Sequence, residues 1–186
     1  MEKYSLFIDP MSGVNPFVQP KYRKITLIVF LRFLLFYPLY ILYRLRLLRI
    51  NWIIKIKKIG KKNTQLHNKT QNTICSNCVT QFDCDVISYL YGNCKIMFPE
   101  GAFTNNRGVL MYKNKNKNAQ HIVLKYTDEC IFMYGGYIEY ICYLICFLGY
   151  ENCVKVQECE DLLDNRVLPV VKFTARDKEE FMKKCF

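Results

Sequence analysis

The sequence has few of the residues that interrupt regular structure, and its first half has few acidic residues. Only eight Gly and six Pro occur among 186 residues, so the chain is not a disordered or low-complexity segment. Its length excludes a multidomain machine and leaves room for one domain with a small appendage. Apolar residues make up 51% of the chain and charged residues 23%. This composition predicts one folded domain with an extensive core.

Acidic residues are almost absent from residues 1–82, which hold fourteen Lys and Arg but only Glu2 and Asp9 as acids. Residues 83–186 balance thirteen basic side chains against fourteen acidic ones, so the net charge of +11 comes from the first half. Its cations alternate with Leu, Ile and Trp52, beside an apolar run. This pattern favours attraction to anionic lipid headgroups over a nucleic-acid groove, and no nucleic-acid partner is expected.

The first long apolar run extends from Ile25 to Tyr43, and no secretory cleavage site follows it. As a helix it would be roughly 28 Å long, close to the hydrocarbon thickness of a bilayer. Arg32 and Pro38 interrupt it, and basic residues flank both ends. A transmembrane span, a kinked segment that enters and leaves one leaflet, and a buried core helix all remain open. The pattern favours a membrane anchor.

After this run, strand-like and helix-like segments alternate. Strands are predicted over residues 52–59, 73–75, 94–98, 121–126 and 153–158, and helices over 84–91, 137–148 and from Ala175 onward. This order predicts an α/β sheet with packed helices. The apolar stretch 131–150 contains Gly135, Gly136 and Glu139, which favour a helix on the sheet or at the membrane interface over a second span. The predicted organisation is an irregular leader (1–24), an apolar anchor with a basic flank (25–50) and an α/β domain (51–186).

Ten cysteines without a secretory signal predict reduced thiols facing the cytosol. Zinc binding is the alternative, because Cys75, Cys78, Cys84 and Cys94 cluster in the sequence. The first two have the gap of a zinc knuckle, but the second two do not match common structural sites, and the chain has only two histidines. We therefore expect no bound metal.

Polar residues follow two predicted strands, at the position where α/β sheets place their sites. The first segment, Asn77 to Asp83, reads NCVTQFD, and the second, Phe98 to Gly108, reads FPEGAFTNNRG. The second predicts a turn rich in hydrogen-bond donors with one cation, which suits a phosphate or carboxylate. An ordinary surface turn is the alternative.

FPEGAFTNNRGVLMY resembles the phosphate-binding motif of the glycerolipid acyltransferase superfamily, Phe-Pro-Glu-Gly-Thr-x-Ser/Thr-Asn-Gly. SNCVTQFD resembles the first motif of that family, Asn-His-x4-Asp, with Cys78 at the histidine position and Asp83 at the aspartate. The order of leader, apolar helix and strand is similar to that of the fungal lysophosphatidic acid:oleoyl-CoA acyltransferases. Ala102 replaces the usual hydroxyl residue, and the βα unit that normally separates the motifs is missing.

This resemblance implies a reduced acyltransferase-like sheet that transfers a fatty acyl group from acyl-CoA, the co-substrate, to a lysophospholipid such as lysophosphatidic acid. Cys78 and Asp83 would hold the catalytic places. The acceptor site would be lined by Glu100, Gly101, Thr104, Asn105 and Arg107. Membrane, lysophospholipid and acyl-CoA are the expected partners, with no bound cofactor, at the cytosolic face of the endoplasmic reticulum or a lipid droplet. An inactive, acyltransferase-derived lipid-binding protein is the alternative.

For Cys78, the sequence leaves three roles open. The thiol could accept a proton, act as a nucleophile that forms an acyl thioester, or be a small buried side chain without a chemical role. Cysteine matches a neutral-pH base less well than histidine, because its ordinary pKa is about 8.5 against about 6.5.

Overall fold

Strands and helices alternate along most of the chain in a computed structural model that describes residues 2–18, 26–59, 73–113, 118–127, 132, 145 and 153–185. The strands are β1 (Lys55–Ile59), β2 (Thr73–Ser76), β3 (Lys95–Met97), β4 (Val109–Leu110), β5 (Gln120–Tyr126), β6 (Cys153–Cys159) and β7 (Val170–Val171). The helices are α1 (Glu2–Ser5), α2 (Leu27–Arg44), α3 (Asp83–Tyr91) and α4 (Ala175–Cys185).

The main sheet has five strands in the order β1-β6-β5-β2-β3. β2 is parallel to both β3 and β5, β1 is parallel to β6, and only the β5–β6 pair is antiparallel. The fold is therefore mixed α/β with a mostly parallel sheet, as the alternating sequence pattern predicts. Because β2, β3 and β5 are parallel, their carboxyl ends lie at the same edge, where the two polar segments begin.

Two features of the strands differ from the prediction. The strand predicted over residues 52–59 begins only at Lys55, because Ile50–Trp52 forms a 3-10 turn that directs Ile50, Ile53 and Ile54 into the core. The second difference is a separate parallel pair, β4 with β7, which the sequence did not indicate. Its two strands have two residues each, too few to form a recognisable apolar pattern.

Helix α2 begins after Thr26, whose Oγ1 accepts a hydrogen bond from the Val29 amide at 3.4 Å. Among the described residues, it is the one helix long and apolar enough to cross a membrane, judged by length and composition. Pro38 lies inside it, and Tyr40 is its only buried residue. A helix so exposed is not a buried core helix of this chain.

The two sides of α2 have different surroundings. Phe33, Phe36, Tyr40 and Tyr43 pack against the main core, at the three- and four-residue spacing of one helical face. The other face is apolar and exposed, with relative exposures of 37% to 74%. Its members are Leu27, Ile28, Phe30, Leu31, Leu34, Leu35, Tyr37, Ile41 and Leu42. We call this set the exposed face of α2.

The main core lies between the sheet and the helices α2 and α3. Residues of β2, β5 and α3 form its centre, among them Ile74, Ile122, Leu124, Val86 and Ile87. The helix predicted over residues 137–148 falls outside the described residues, except for Ile145. That residue is helical and buried in this same core.

The leader, predicted to be irregular, contains the short helix α1 and packs onto the end of the chain. Phe7 and Phe17 lie in a second core with Phe173 and Phe181, where the ring centroids of Phe7 and Phe181 are 5.2 Å apart and those of Phe17 and Phe173 are 5.9 Å apart. Phe17 is 1% exposed and Phe181 is completely buried. The leader is therefore part of the folded domain.

Hydrogen bonds reinforce this packing. The buried Asp9 carboxylate accepts the Lys172 amide through Oδ1 at 3.1 Å, and the Ser12 amide and hydroxyl through Oδ2 at 2.8 Å. Burial opposes ionisation of Asp9, but these hydrogen bonds outweigh it and hold its pKa below the ordinary value. We refer to the contacts of residues 2–18 with the rest of the domain as the leader clasp.

Candidate functional site

The two polar segments meet at the carboxylate of Glu100. Its Oε2 accepts the Cys78 amide at 2.7 Å, and its Oε1 accepts the Leu110 amide at 2.5 Å. Glu100 is only 3% exposed, and burial raises its pKa to about 8 against the opposing effect of these two hydrogen bonds. One buried side chain thus joins the loop after β2, the loop after β3 and strand β4.

Asp83 is the first residue of α3 and is completely buried. Its Oδ2 accepts the amides of Val79 at 2.7 Å and Thr80 at 3.0 Å, while Oδ1 accepts the Tyr126 hydroxyl at 2.6 Å. Burial raises the pKa of Asp83 to about 6, and these hydrogen bonds oppose the rise. Both oxygens of the carboxylate are engaged with the protein, so Asp83 holds the loop and α3 together.

Cys78 lies between these two carboxylates and is 9% exposed. Burial raises the pKa of its thiol well above the ordinary value, and the negative charges of Asp83 and Glu100 raise it further. The positive charge of Lys178 acts in the opposite direction but does not reverse the effect. The thiol is therefore protonated at neutral pH, and a thiolate base or nucleophile is not present in this arrangement.

Neither histidine belongs to the described part of this cluster. His121 lies near the start of β5, opposite Cys75 in the register, whereas the site is built from Leu124 and Tyr126 near the other end of that strand. His67 lies outside the described residues.

Two buried asparagines continue the hydrogen-bonding pattern of the sheet. Asn77 donates to the Leu124 carbonyl at 2.9 Å and accepts the Leu124 amide at 2.7 Å. Asn106 does the same with Tyr126, at 2.6 Å and 3.2 Å. Asn106 has a φ of 63°, in a left-handed conformation that asparagine tolerates better than most residues. These side chains fix both segments on β5.

The remaining predicted site residues divide into buried and exposed groups. Thr104 is buried, and its amide donates to the Cys78 carbonyl at 2.9 Å. Asn105 is also buried, and its Nδ2 donates to the carbonyls of Asn15 at 2.8 Å and Val18 at 3.1 Å, so it joins the leader clasp. Gly101 and Arg107 are exposed. The structure thus brings Cys78, Asp83, Glu100 and Thr104 into one buried cluster and leaves a glycine and an arginine at its rim.

Lys178 is a further candidate that sequence reasoning missed. Thr174 and Asp177 cap α4, since the Asp177 Oδ2 accepts both the amide and the hydroxyl of Thr174 at 2.7 Å. The next residue, Lys178, donates from Nζ to the Phe103 carbonyl at 2.7 Å, and burial lowers the pKa of its ammonium. In the sequence it is one lysine among several in a terminal amphipathic helix, and no local signal separates it from the others.

A surface depression of about 380 Å³ borders this cluster, a size that admits a small ligand. Gly101, Ala102, Lys178 and Met182 are among the residues that line it, and Cys78 is not. Gly101 has a φ of 68°, which favours glycine, and its missing Cβ would lie 3.7 Å from the Cβ of Ala175. The turn that contains Gly101 can therefore pass close to α4, and no side chain at Gly101 occupies the depression.

The described residues contain no group of three or more His, Cys, Asp or Glu side chains placed to hold a metal ion. Cys75, Cys78, Cys84, Cys94, Cys153 and Cys159 are free thiols, and of the four that cluster in the sequence, Cys75 and Cys78 are buried while Cys84 is exposed.

Comparisons with models of known protein families, with curated proteins and with solved structures found no match to this chain. The site is therefore interpreted from its own geometry and from the motifs in the sequence.

Proposed function

We propose that this chain is a membrane-bound acyl-CoA:lysophospholipid acyltransferase that acts on an acceptor such as lysophosphatidic acid. The observation that carries the proposal is the Glu100 carboxylate, which binds the Cys78 amide at 2.7 Å and joins the two motif-like segments in one cluster. The cluster lies where β2 and β3 end, the usual position of sites in parallel sheets. The Lys178 ammonium and the exposed Arg107 supply positive charge for the acceptor phosphate.

In the proposed reaction, the acceptor hydroxyl oxygen attacks the thioester carbonyl carbon of acyl-CoA. The carbon–sulfur bond breaks, the new ester forms, and the hydroxyl proton ends on the departing coenzyme A thiol. Because the Cys78 thiol is protonated, it does not take that proton as a thiolate base. The residues of the cluster would then act by positioning and by charge, and the rate would be lower than that of a site with a histidine–aspartate pair.

The exposed face of α2 supports placement at a membrane. Its apolar side chains include Leu27 and Leu35, which are 74% and 68% exposed. Exposure of apolar surface to water is unfavourable in free energy, and contact with lipid would remove that exposure. Both proposed substrates carry acyl chains that partition into bilayers. The free thiols and the basic flank fit the cytosolic face of the endoplasmic reticulum or a lipid droplet.

A second candidate is an inactive lipid-binding protein with an acyltransferase-like site. Its support is specific, because the Cys78 thiol is protonated and the Asp83 Oδ1 accepts the Tyr126 hydroxyl. An imidazole partner would need that same oxygen. The same cluster would then hold a lysophospholipid without transferring an acyl group to it.

The deciding experiment measures transfer from labelled oleoyl-CoA to lysophosphatidic acid by the purified full chain in vesicles. For an acyltransferase we expect transfer above the protein-free background and at least about a tenfold loss in Glu100→Ala, which removes the carboxylate that holds the Cys78 and Leu110 amides. Cys78→Ala should retain most of the rate, because alanine keeps that amide and the protonated thiol is neither base nor nucleophile. The matched control is Cys84→Ala, since Cys84 is an exposed cysteine six residues further along the chain and should leave the rate unchanged.

Two further variants test the geometry. Cys78→His alone leaves Asp83 engaged with the Tyr126 hydroxyl, whereas Cys78→His with Tyr126→Phe frees Oδ1 for the imidazole. We expect the double variant to be faster than the single one. Absence of transfer in every form, with retained binding of lysophosphatidic acid by folded protein, would contradict the acyltransferase and favour the lipid-binding protein.

A further inference from the structure

A second depression, of about 690 Å³, lies where α2 ends and faces α3. Arg44, Arg46 and Arg49 line it, together with polar side chains of α3 that include Ser88 and Tyr89. We call it the arginine pocket. It is distinct from the candidate acyl-transfer cluster, because the two share no lining residue.

The arginine pocket carries an uncompensated positive charge. Its three arginines face one carboxylate, Asp85, which accepts the Tyr43 hydroxyl, so the side chains sum to +2 when Asp85 is ionised. Within the described part of the chain, none of the three arginines forms an ion pair with a carboxylate. The carbonyl end of α2 adds only about half a negative charge. An anionic group would therefore be attracted to the pocket.

The backbone at Arg46 adds a second, independent observation. The Leu47 amide donates to the Leu42 carbonyl at 2.9 Å, which ends α2 in a tight reversal, and Arg46 occupies the left-handed position of that reversal with a φ of 60°. Glycine is strongly preferred there, because the Cβ of other residues comes too close to the neighbouring carbonyl oxygen in this conformation. An arginine held in a disfavoured conformation beside two others is typical of a functional constraint.

The leader clasp fixes the side of the membrane on which the pocket lies. If α2 spanned a bilayer with the domain at its Arg44 end, Thr26 would lie on the far side. Val18, held on the domain by Asn105, is only eight residues from Thr26, a reach of about 28 Å at most. The hydrocarbon layer is about 30 Å thick, so the segment between them could not cross it even when fully extended. That segment would also place Lys21, Arg23 and Lys24 in the hydrocarbon.

A spanning α2 is therefore incompatible with the clasp, and both ends of the helix belong on the side of the domain. With the exposed face of α2 in one leaflet, the arginines at its end reach the depth of the headgroup phosphates. Guanidinium groups bind phosphate oxygens through paired hydrogen bonds, and the hydroxyls of Ser88 and Tyr89 add donors.

We propose that the arginine pocket binds the phosphate of an anionic phospholipid headgroup in the leaflet that receives the exposed face of α2. This inference rests on the proposed membrane placement and is independent of acyl transfer.

The test measures flotation of the full chain with vesicles of phosphatidylcholine alone and of phosphatidylcholine with phosphatidic acid. We expect phosphatidic acid to increase binding, and Arg46→Gly and Arg44→Gln each to reduce that increase about tenfold while binding to neutral vesicles is unchanged. Arg46→Gly is informative because glycine suits the left-handed backbone, so the variant loses its charge without losing stability.

Arg176→Gln is the matched control, because Arg176 is an exposed arginine of α4 outside the pocket. An equal loss in this control, or no loss in the pocket variants, would overturn the proposal. Saturable binding of inorganic phosphate to the detergent-solubilised protein, at concentrations that match the lipid phosphate, would reassign the pocket to a free anion. Failure of the wild-type chain to float with either vesicle would instead contradict the membrane placement.

Discussion

Two buried carboxylates, Glu100 and Asp83, organise the candidate site and make its stability depend on pH. Burial raises their pKa values to about 8 and about 6. A carboxyl group with a raised pKa holds its proton more tightly in the folded chain than in the unfolded one. Its contribution to stability is therefore complete below the unfolded pKa and is lost as the pH rises through the folded pKa.

We expect the free energy of unfolding to fall as the pH rises from about 5 to about 8, by at most about 1.4 kcal/mol per pH unit for one proton. Glu100→Gln should remove most of this slope, because Glu100 titrates over that range. Urea unfolding in detergent at a series of pH values measures it, with the exposed Glu160→Gln as control. Equal stability of the wild-type chain at both ends of the range would contradict the assignment.

The sequence predicted some residues of the candidate cluster and could not predict others. Cys78, Asp83 and Glu100 lie in short polar segments that follow predicted strands, so the local sequence pattern is enough to select them. Only the structure shows how these segments contact each other. Tyr126 is the last residue of an apolar strand, so its sequence context predicts a core residue. The sequence context of Lys178 predicts a surface lysine. Their roles depend on contacts across 43 and 75 residues of sequence, which no local pattern contains.

At the scale of elements, α2 is apolar on both sides for different reasons. Phe36 and Tyr40 complete the main core, whereas Leu31 and Leu35 do not belong to it and are 56% and 68% exposed. Hydropathy along the sequence cannot separate these two roles, because both produce the same apolar run. The structure separates them by which face meets the domain.

Leu35→Lys should weaken binding to neutral phosphatidylcholine vesicles by at least about tenfold, because burying one leucine side chain contributes about 1.5–3 kcal/mol. Its unfolding in detergent should be unchanged. Leu6→Lys is the matched control, since Leu6 in the leader is 66% exposed and Leu35 is 68% exposed. Equal losses in the two variants, measured by flotation, would show that the exposed face of α2 has no special contact with lipid.

The strands β5 and β6 were predictable from their sequence patterns. In β5, Ile122 to Leu124 form a continuous apolar run, and in β6, Val154 and Val156 alternate with Lys155 and Gln157. The helix α1 and the pair β4–β7 were not predictable, since they have four residues and two residues per strand. These short elements depend on tertiary contacts. Gly108 illustrates this dependence, because a Cβ there would lie 2.9 Å from a Val171 methyl group.

At the scale of the whole molecule, the leader clasp combined with the proposed membrane placement of α2 puts both ends of the chain on one side of the bilayer. We expect epitope tags at the N-terminus and C-terminus of the full chain to be digested from the same side of sealed proteoliposomes, because residues 2–18 pack on the domain that follows α2. Protease protection with and without detergent measures this. Tags protected on opposite sides would show that α2 spans the bilayer and that the clasp is open there.

The clasp also has a consequence in time. The leader is synthesised before its partners Lys172, Phe173 and Phe181, which follow α2 in the chain. The 163 residues that separate Asp9 from Lys172 take on the order of ten to thirty seconds to translate. During that interval α2 has left the ribosome, while the surface that receives the leader does not yet exist. The helix therefore has time to meet a bilayer first, and the domain closes over the leader only after Lys172, Phe173 and Phe181 have been synthesised.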